Sequence, residues 1–177
     1  MMKKAIIISM CVVVAFALAA CAAKAGVAST ASTASTAAKT AASTDGAAQI
    51  ANPFVSCGSL GEAGKIAGFD MTAPDVAGYT GPVIEAIKGS LIQTIWTKGD
   101  DEVMIRKAKG TDDVSGDYNT YSETKQTTLS GFNVTLKGEG GSIMNAVWTS
   151  GGFSYAIDAT GAGLSEEATG TLIAGIK

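Results

Sequence analysis

From about Val83 onward the chain alternates between apolar and polar positions. Phe132, Val134 and Leu136 are set against Asn133, Thr135 and Lys137, and Phe153, Tyr155 and Ile157 against Ser154, Ala156 and Asp158. A period of two sends successive side chains to opposite faces of a sheet, so these segments predict strands with one face buried and the other wet. Similar runs occupy 83–87, 91–97, 102–108, 123–129 and 143–149. Their hinges, among them Lys88-Gly89-Ser90, Lys98-Gly99-Asp100-Asp101 and Ser150-Gly151-Gly152, carry the glycines that tight hairpins require. The segment 123–129 is polar at nearly every residue, which suits a protected edge strand.

Two stretches follow a helical rule instead. Ser59-Leu60-Gly61-Glu62 is a capping box, predicting a helix from Leu60 to about Ala67 with Ala63, Ile66 and Ala67 on one face. Near the end, Leu164 precedes the N-cap Ser165, Glu166 and Glu167 fall at the positive end of a helix, and Leu172, Ile173 and Ile176 point inward. Strands bracketed by helices predict an α+β fold: a twisted antiparallel sheet of about six to seven strands, with an N-terminal and a C-terminal helix packed on one face.

This domain is expected to span 49–177, because the first quarter of the chain has a different composition. Met1-Met2-Lys3-Lys4 is basic, Ala5 to Leu18 is apolar, and Leu18-Ala19-Ala20-Cys21 closes the run, as in a secretory signal peptide. Leu-Ala-Ala-Cys resembles the lipobox of bacterial lipoproteins, which implies removal of 1–20 and diacylglyceryl transfer to the Cys21 thiol. An uncleaved membrane helix is the alternative, since the apolar run continues to Ala23. From 22 to 48 come alanine, serine and threonine with three consecutive Ala-Ser-Thr triplets and no aromatic residue. With almost nothing to bury, 21–48 is expected to be a lipidated cysteine followed by a flexible tether, with a root-mean-square span of about 30 Å.

Charge and cysteine count narrow the chemistry. The segment 49–177 holds nine basic and fifteen acidic side chains, a net charge of −6, which argues against nucleic-acid binding. Once Cys11 leaves with the signal and Cys21 carries lipid, Cys57 has no partner for an intramolecular disulfide. The chain has no histidine, so Ser-His-Asp, Cys-His and histidine-zinc centres are excluded.

The stretch Lys109 to Tyr121, KGTDDVSGDYNTY, is the densest in chemistry. Aligned on Gly116, an EF-hand register puts Thr111 and Ser122 where position 1 and the bidentate glutamate of position 12 belong, so both ends fail. A looser calcium site from Asp112, Asp113, Asp117 and the Asn119 amide remains chemically open. The other reading is an ordered turn, in which Asp113, Ser115, Asp117 and Asn119 bond neighbouring amides and Gly116 takes a left-handed conformation. Tyr118 and Tyr121 would then cover the sheet end, and the basic Arg106, Lys107 and Lys109 would lie beside the loop. Trp96 and Trp148 fall within apolar strands and are expected in the core.

Ile105-Arg106-Lys107-Ala108, followed by Gly110 to Asn119 with its Ser-Gly-Asp-Tyr-Asn segment and by Trp148-Thr149 downstream, resembles an uncharacterised family of domains in surface lipoproteins of Gram-positive bacteria. The resemblance covers about Asn52 to Lys177; it implies location and fold and supplies no catalytic residue. The expected protein is a non-catalytic binding or scaffolding module without a cofactor, held to the outer face of the cell membrane through Cys21. Its partner would be a protein or cell-wall ligand, met by the loop 112–121 with the adjacent basic strand end of Arg106, Lys107 and Lys109. The alternatives are a calcium-dependent or carboxylate-based surface enzyme and a regulator or sensor of a membrane-anchored partner. Replacing Cys21→Ala is expected to abolish fatty-acid labelling and to move the protein out of the membrane fraction. Unchanged membrane retention on cell fractionation would instead assign anchoring to the apolar run itself.

Overall fold

The computed structural model describes residues 51–177. The expected signal peptide 1–20, the lipidation site Cys21, the whole tether 21–48 and the domain boundary at 49 lie outside the described residues.

Eight strands form one antiparallel sheet: β1 (Val55–Cys57), β2 (Thr80–Ile87), β3 (Leu91–Lys98), β4 (Asp101–Lys109), β5 (Glu123–Leu129), β6 (Phe132–Glu139), β7 (Ser142–Ser150) and β8 (Phe153–Ala159). The expected count of six to seven is therefore corrected to eight. The additional strand is β1, three residues long, and so short a segment offers no alternation to read. It becomes a strand because Val55, Ser56 and Cys57 find a ladder on Ala86, Glu85 and Ile84 of β2.

The sheet runs β1-β2-β3-β4-β8-β7-β6-β5, so two four-stranded meanders are joined where β4 meets β8. That join pairs Val103 with Ala159, Ile105 with Ile157 and Lys107 with Tyr155. The sheet stays open, with β1 and the polar strand β5 at its edges.

Along the central strands one side chain in two faces a single apolar cluster, which takes in Ile92, Trp96, Val103, Ile105, Leu136 and Ile157. Helices α1 (Leu60–Ala67) and α2 (Glu166–Gly175) supply Ala63, Ala67, Leu172 and Ile173 to the same cluster. Both helices therefore cover the same face. Burying each large aliphatic side chain contributes roughly 1.5–3 kcal/mol. Trp148 and Tyr155, directly paired across β7 and β8, stack at 5.2 Å with their rings 6° apart. Both tryptophans are buried, as their strand positions predict.

Helix α1 is held by packing more than by propensity, since Gly61 and Gly64 weaken it. At its start the Glu62 amide donates to Ser59 Oγ at 3.2 Å. The Glu62 carboxylate accepts from the amide of Gly58 at 2.8 Å, one residue earlier than a standard capping box. Helix α2 begins on Ser165, whose Oγ accepts from the Ala168 amide at 3.1 Å. Lys125 of β5 reaches Glu166 at 2.8 Å, an exposed pair that contributes little, and Ser130 Oγ donates to the Gly170 carbonyl.

Alternation along β4 also separates the three basic residues expected to form one patch. Lys107 turns to the helix face, where it is 7% exposed, donates to the Asp70 carbonyl at 2.6 Å and lies over the ring of Phe153 at 4.5 Å. Burial pushes its ammonium below the usual lysine range, partly offset by Asp70. Lys109 shares this face and lies over the ring of Phe69. Only Arg106 faces the other way. The expectation of Arg106, Lys107 and Lys109 together beside the loop is thus overturned by the pleat of the strand.

Truncating Ile157→Ala, which lies at the junction of the two meanders, is expected to cost about 2–5 kcal/mol. Thr124→Ala on the exposed edge strand should stay within about 0.5 kcal/mol. Urea denaturation monitored by tryptophan fluorescence separates the two.

Candidate functional site: the loop across the open face

The face of the sheet away from the helices is crossed by the connection 110–122. This segment leaves β4 and must reach β5, but β8, β7 and β6 lie between them. Four strand spacings of about 4.8 Å make roughly 19 Å to travel. Thirteen residues can reach about twice that distance, so the slack has to be folded into turns.

The aspartates build those turns. Asp113 Oδ1 accepts from the amide and the hydroxyl of Ser115 at 2.9 and 2.6 Å, and Ser115 Oγ accepts from the Asp117 amide at 3.2 Å. Asp117 Oδ1 then accepts from the Asn119 amide at 2.9 Å and from Asn119 Nδ2 at 2.7 Å, while Oδ2 accepts from the Tyr121 hydroxyl at 2.7 Å. Side chains and backbone thus form a relay along the loop, each step two residues on as far as Asn119, with Tyr121 reaching back four to Asp117. Ser115 is 2% exposed, which makes it the buried centre of the relay.

The sheet holds this loop at its start and in its middle. The Gly110 amide donates to the Gly152 carbonyl at 3.0 Å, and Ser154 Oγ donates to the Gly110 carbonyl at 3.1 Å. Asp113 Oδ2 lies 3.6 Å from Lys137 Nζ on β6. Arg106 makes the central tie: its Nη1 donates to the carbonyls of Val114 and Ser115, and its Nε donates to Gln93 Oε1 at 2.9 Å. Gln93 in turn donates to Glu85 at 2.6 Å, so a polar chain runs from β2 through β3 and β4 to the loop. Burial lowers the Arg106 guanidinium from its ordinary value, opposed by Asp158, Glu102 and Glu85.

Gly116 is required twice over. Its φ is +70°, a left-handed conformation that most side chains avoid, and a Cβ there would stand 2.5 Å from Arg106 Nη1.

Of the residues singled out in the sequence, Asp113, Ser115, Asp117, Asn119 and Tyr121 come together in one network, and Asp112 lies exposed beside it. The four oxygens of Asp113 and Asp117 already face Ser115, Lys137, Asn119 and Tyr121, so a calcium ion would have to displace donors of the protein itself. Among the described residues no group of three or more acidic, cysteine or histidine side chains converges in a way that could hold a metal ion.

The tyrosines behave differently from expectation. Tyr121 is half-buried and turns its hydroxyl to Asp117, and burial together with that bond raises it above the ordinary phenol value. Tyr118 covers nothing: it is 96% exposed at the crest of the loop. Beside the start of the loop the open face forms a groove of about 240 Å³, lined by the polar Thr111, Asp112, Asp113, Asn133, Thr135, Thr149 and Ser154 and by Val147, Trp148 and Tyr155. A second concavity of about 490 Å³ continues past Asn133 and Thr135 to Gln126 and Thr128 of β5.

Sequence reasoning missed Lys137, Gln93, Asn145 and Asp158, all of which serve the loop or the surface below it. Alternation assigns Asp158 to the wet face, but only the pairing of β4 with β8 brings it near Arg106. Cys57, by contrast, stays unremarkable: desolvation and the carboxylates of Glu62 and Glu85 raise its thiol, so no thiolate is favoured.

Gly116→Ala is expected to cost about 1–3 kcal/mol through the strained φ and the displaced guanidinium. Asp113 adds a pH dependence. Burial alone would raise its carboxyl, but the two Ser115 hydrogen bonds and Lys137 outweigh burial and hold it below 3.8. Its contribution is present above that value and is lost as pH falls through the lower folded value. Asp113→Asn should flatten the stability profile below about pH 4, as read by thermal melts. Comparison with family models, curated proteins and solved structures finds no significant match for this chain, so its reading rests on this geometry.

Proposed function

We propose that the protein is an extracytoplasmic binding or scaffolding module, tethered through lipid on Cys21, whose contact surface is the loop 112–121 and the groove beside it. One observation carries this reading: a loop pinned by the Asp113–Ser115–Asp117–Asn119 hydrogen bonds and by Arg106 leaves a single large aromatic residue, Tyr118, 96% exposed. Ordering a loop costs conformational entropy, and an aromatic ring standing in water gains nothing from burial. A ring presented in advance on a rigid support loses little further freedom on binding, which is the condition for an anchor residue at an interface.

The surroundings specify the kind of partner. Hydroxyls and amides of Asn133, Thr135 and Thr149 line the groove, with Asp112 and Asp113 at its margin. Such a lining matches a polar ligand rich in hydroxyl or amide groups, as a cell-wall glycan or an extended peptide backbone is. A net charge of −6 over 49–177 disfavours nucleic acid and anionic headgroups. The lipobox sequence and the resemblance to surface lipoproteins support the location, and the tether sets the reach.

A photo-crosslinking residue at position 118, in the full chain expressed in its own envelope, tests the contact surface. Discrete crosslinked species are expected from position 118 and none from Thr171 on α2. Equal labelling at both positions, or none at 118, would falsify the assignment. Tyr118→Ala should leave stability within about 0.5 kcal/mol, so a loss of contact cannot be ascribed to unfolding.

A further inference from the structure

Beneath the loop, β7 and β8 set two polar side chains against each other. Asn145 and Asp158 are direct partners in the antiparallel register. Asn145 is wholly buried, and its Nδ2 donates to Asp158 Oδ1 at 2.6 Å. In each side chain the other polar atom, the buried oxygen Asn145 Oδ1 or Asp158 Oδ2, is reached by no donor of the protein. Two orphaned acceptors on opposed residues are costly when the carboxyl is ionised. One proton on Asp158 Oδ2 changes the count: that oxygen becomes a donor, Asn145 Oδ1 is its natural acceptor, and acid and amide close on each other through two hydrogen bonds.

The loop lies directly over this pair. A small cavity of about 120 Å³ is bounded by Asp158 and Met144 from the sheet and by Ser115, Asp117, Asn119 and Tyr121 from the loop. The charged and titratable groups that act on the Asp158 carboxyl are Arg106 of β4 and Asp113 and Asp117 of the loop, with Tyr121 close by. Arg106 also feels Glu102 and Glu85, and Asp113 is tied to Lys137.

We propose that Asp158 and Asn145 form a proton-operated latch regulating the contact loop: the protonated pair lets the segment 114–121 lie down on β7 and β8, and loss of the proton releases it. An ionised Asp158 repels Asp113 and Asp117 from below. It also competes for Arg106, the residue that holds the carbonyls of Val114 and Ser115. The regulatory meaning rests on the loop being the contact surface; the latch itself is a property of the chain alone.

Burial, with Asp117 and Asp113, raises the Asp158 carboxyl from 3.8 to about 6 against the opposing Asn145 bond and Arg106. A raised carboxyl binds its proton more tightly in the folded state. Its stabilisation is therefore complete below 3.8 and is lost as pH rises through about 6.

The test uses the full chain without ligand. Carboxyl carbon NMR follows Asp158 from about pH 4 to 8, and amide exchange gives protection factors for 114–121 corrected for intrinsic rate. Asp158 should titrate near 6, and loop protection should fall through the same midpoint by up to about a hundredfold. Asp158→Asn is the neutral isostere, donating to Asn145 Oδ1 and accepting from Nδ2, and it should keep the loop protected across the range. An Asp158 midpoint near 3.8, or a wild-type pH dependence in Asp158→Asn, would overturn the latch. Because crosslinking at position 118 is read separately, loss of the contact reading leaves this result standing, and failure of the latch leaves the contact surface intact.

Discussion

The pairing of β4 with β8 is the constraint from which the rest of the structure follows. Apart from β1, which reaches β2 through α1, each meander is a run of local hairpins, and either could end in an open edge. Joining them through their last strands leaves β5 at the far side of the sheet from the strand it follows in sequence. The chain must then cross three strands in one connection, and the only surface free for it is the face the helices leave open. The dense run of aspartate, serine, glycine and asparagine answers a topological demand before any functional one. A polar segment lying over a sheet has to satisfy its own backbone, and short acidic and amide side chains bonding two residues on do so without a regular ladder.

The two faces of the sheet divide the chemistry accordingly. The helix face is apolar apart from a few buried polar groups, and it tolerates Lys107 because that ammonium has a carbonyl and three rings around it. On the open face, buried polar groups form a connected set that ends at the loop carbonyls. Glu85, Gln93 and Arg106 are linked in series, and Asp158 with Asn145 lies alongside. Such networks are favourable when every member is satisfied and costly when one is not. The unsatisfied pair sits where the loop presses on the sheet, so a local proton count and a loop position become the same variable.

Much of the fold was legible in the sequence, for physical reasons. Short alternating runs between glycine hinges located six of the eight strands, the polar run 123–129 a seventh, and Ser59 and Ser165 marked both helix starts. What failed had too little signal or was non-local. Val55–Cys57 is too short to alternate. The grouping of Arg106 with Lys107 and Lys109 ignored the pleat, which sends neighbours to opposite faces. For the site, the reading of Asp113, Ser115, Gly116, Asp117 and Asn119 as a turn came from local chemistry and needed no partner. Lys137, Gln93, Asn145 and Asp158 belong to strands distant in sequence, and no single segment announces which of them the loop will cross. The exposure of Tyr118 was equally hidden, because an aromatic residue in a loop is expected to cover apolar surface.

Whether the loop over the open face is a rigid strap presenting Tyr118 is decided by backbone ¹⁵N relaxation at about pH 5. At that pH the Asp158–Asn145 pair is mostly closed. The order parameters of residues 113–119 should then approach those of the strands beneath, near about 0.85, with the Tyr118 side chain mobile above a still backbone. Values below about 0.6 across the segment would describe a floppy connection and would contradict the account.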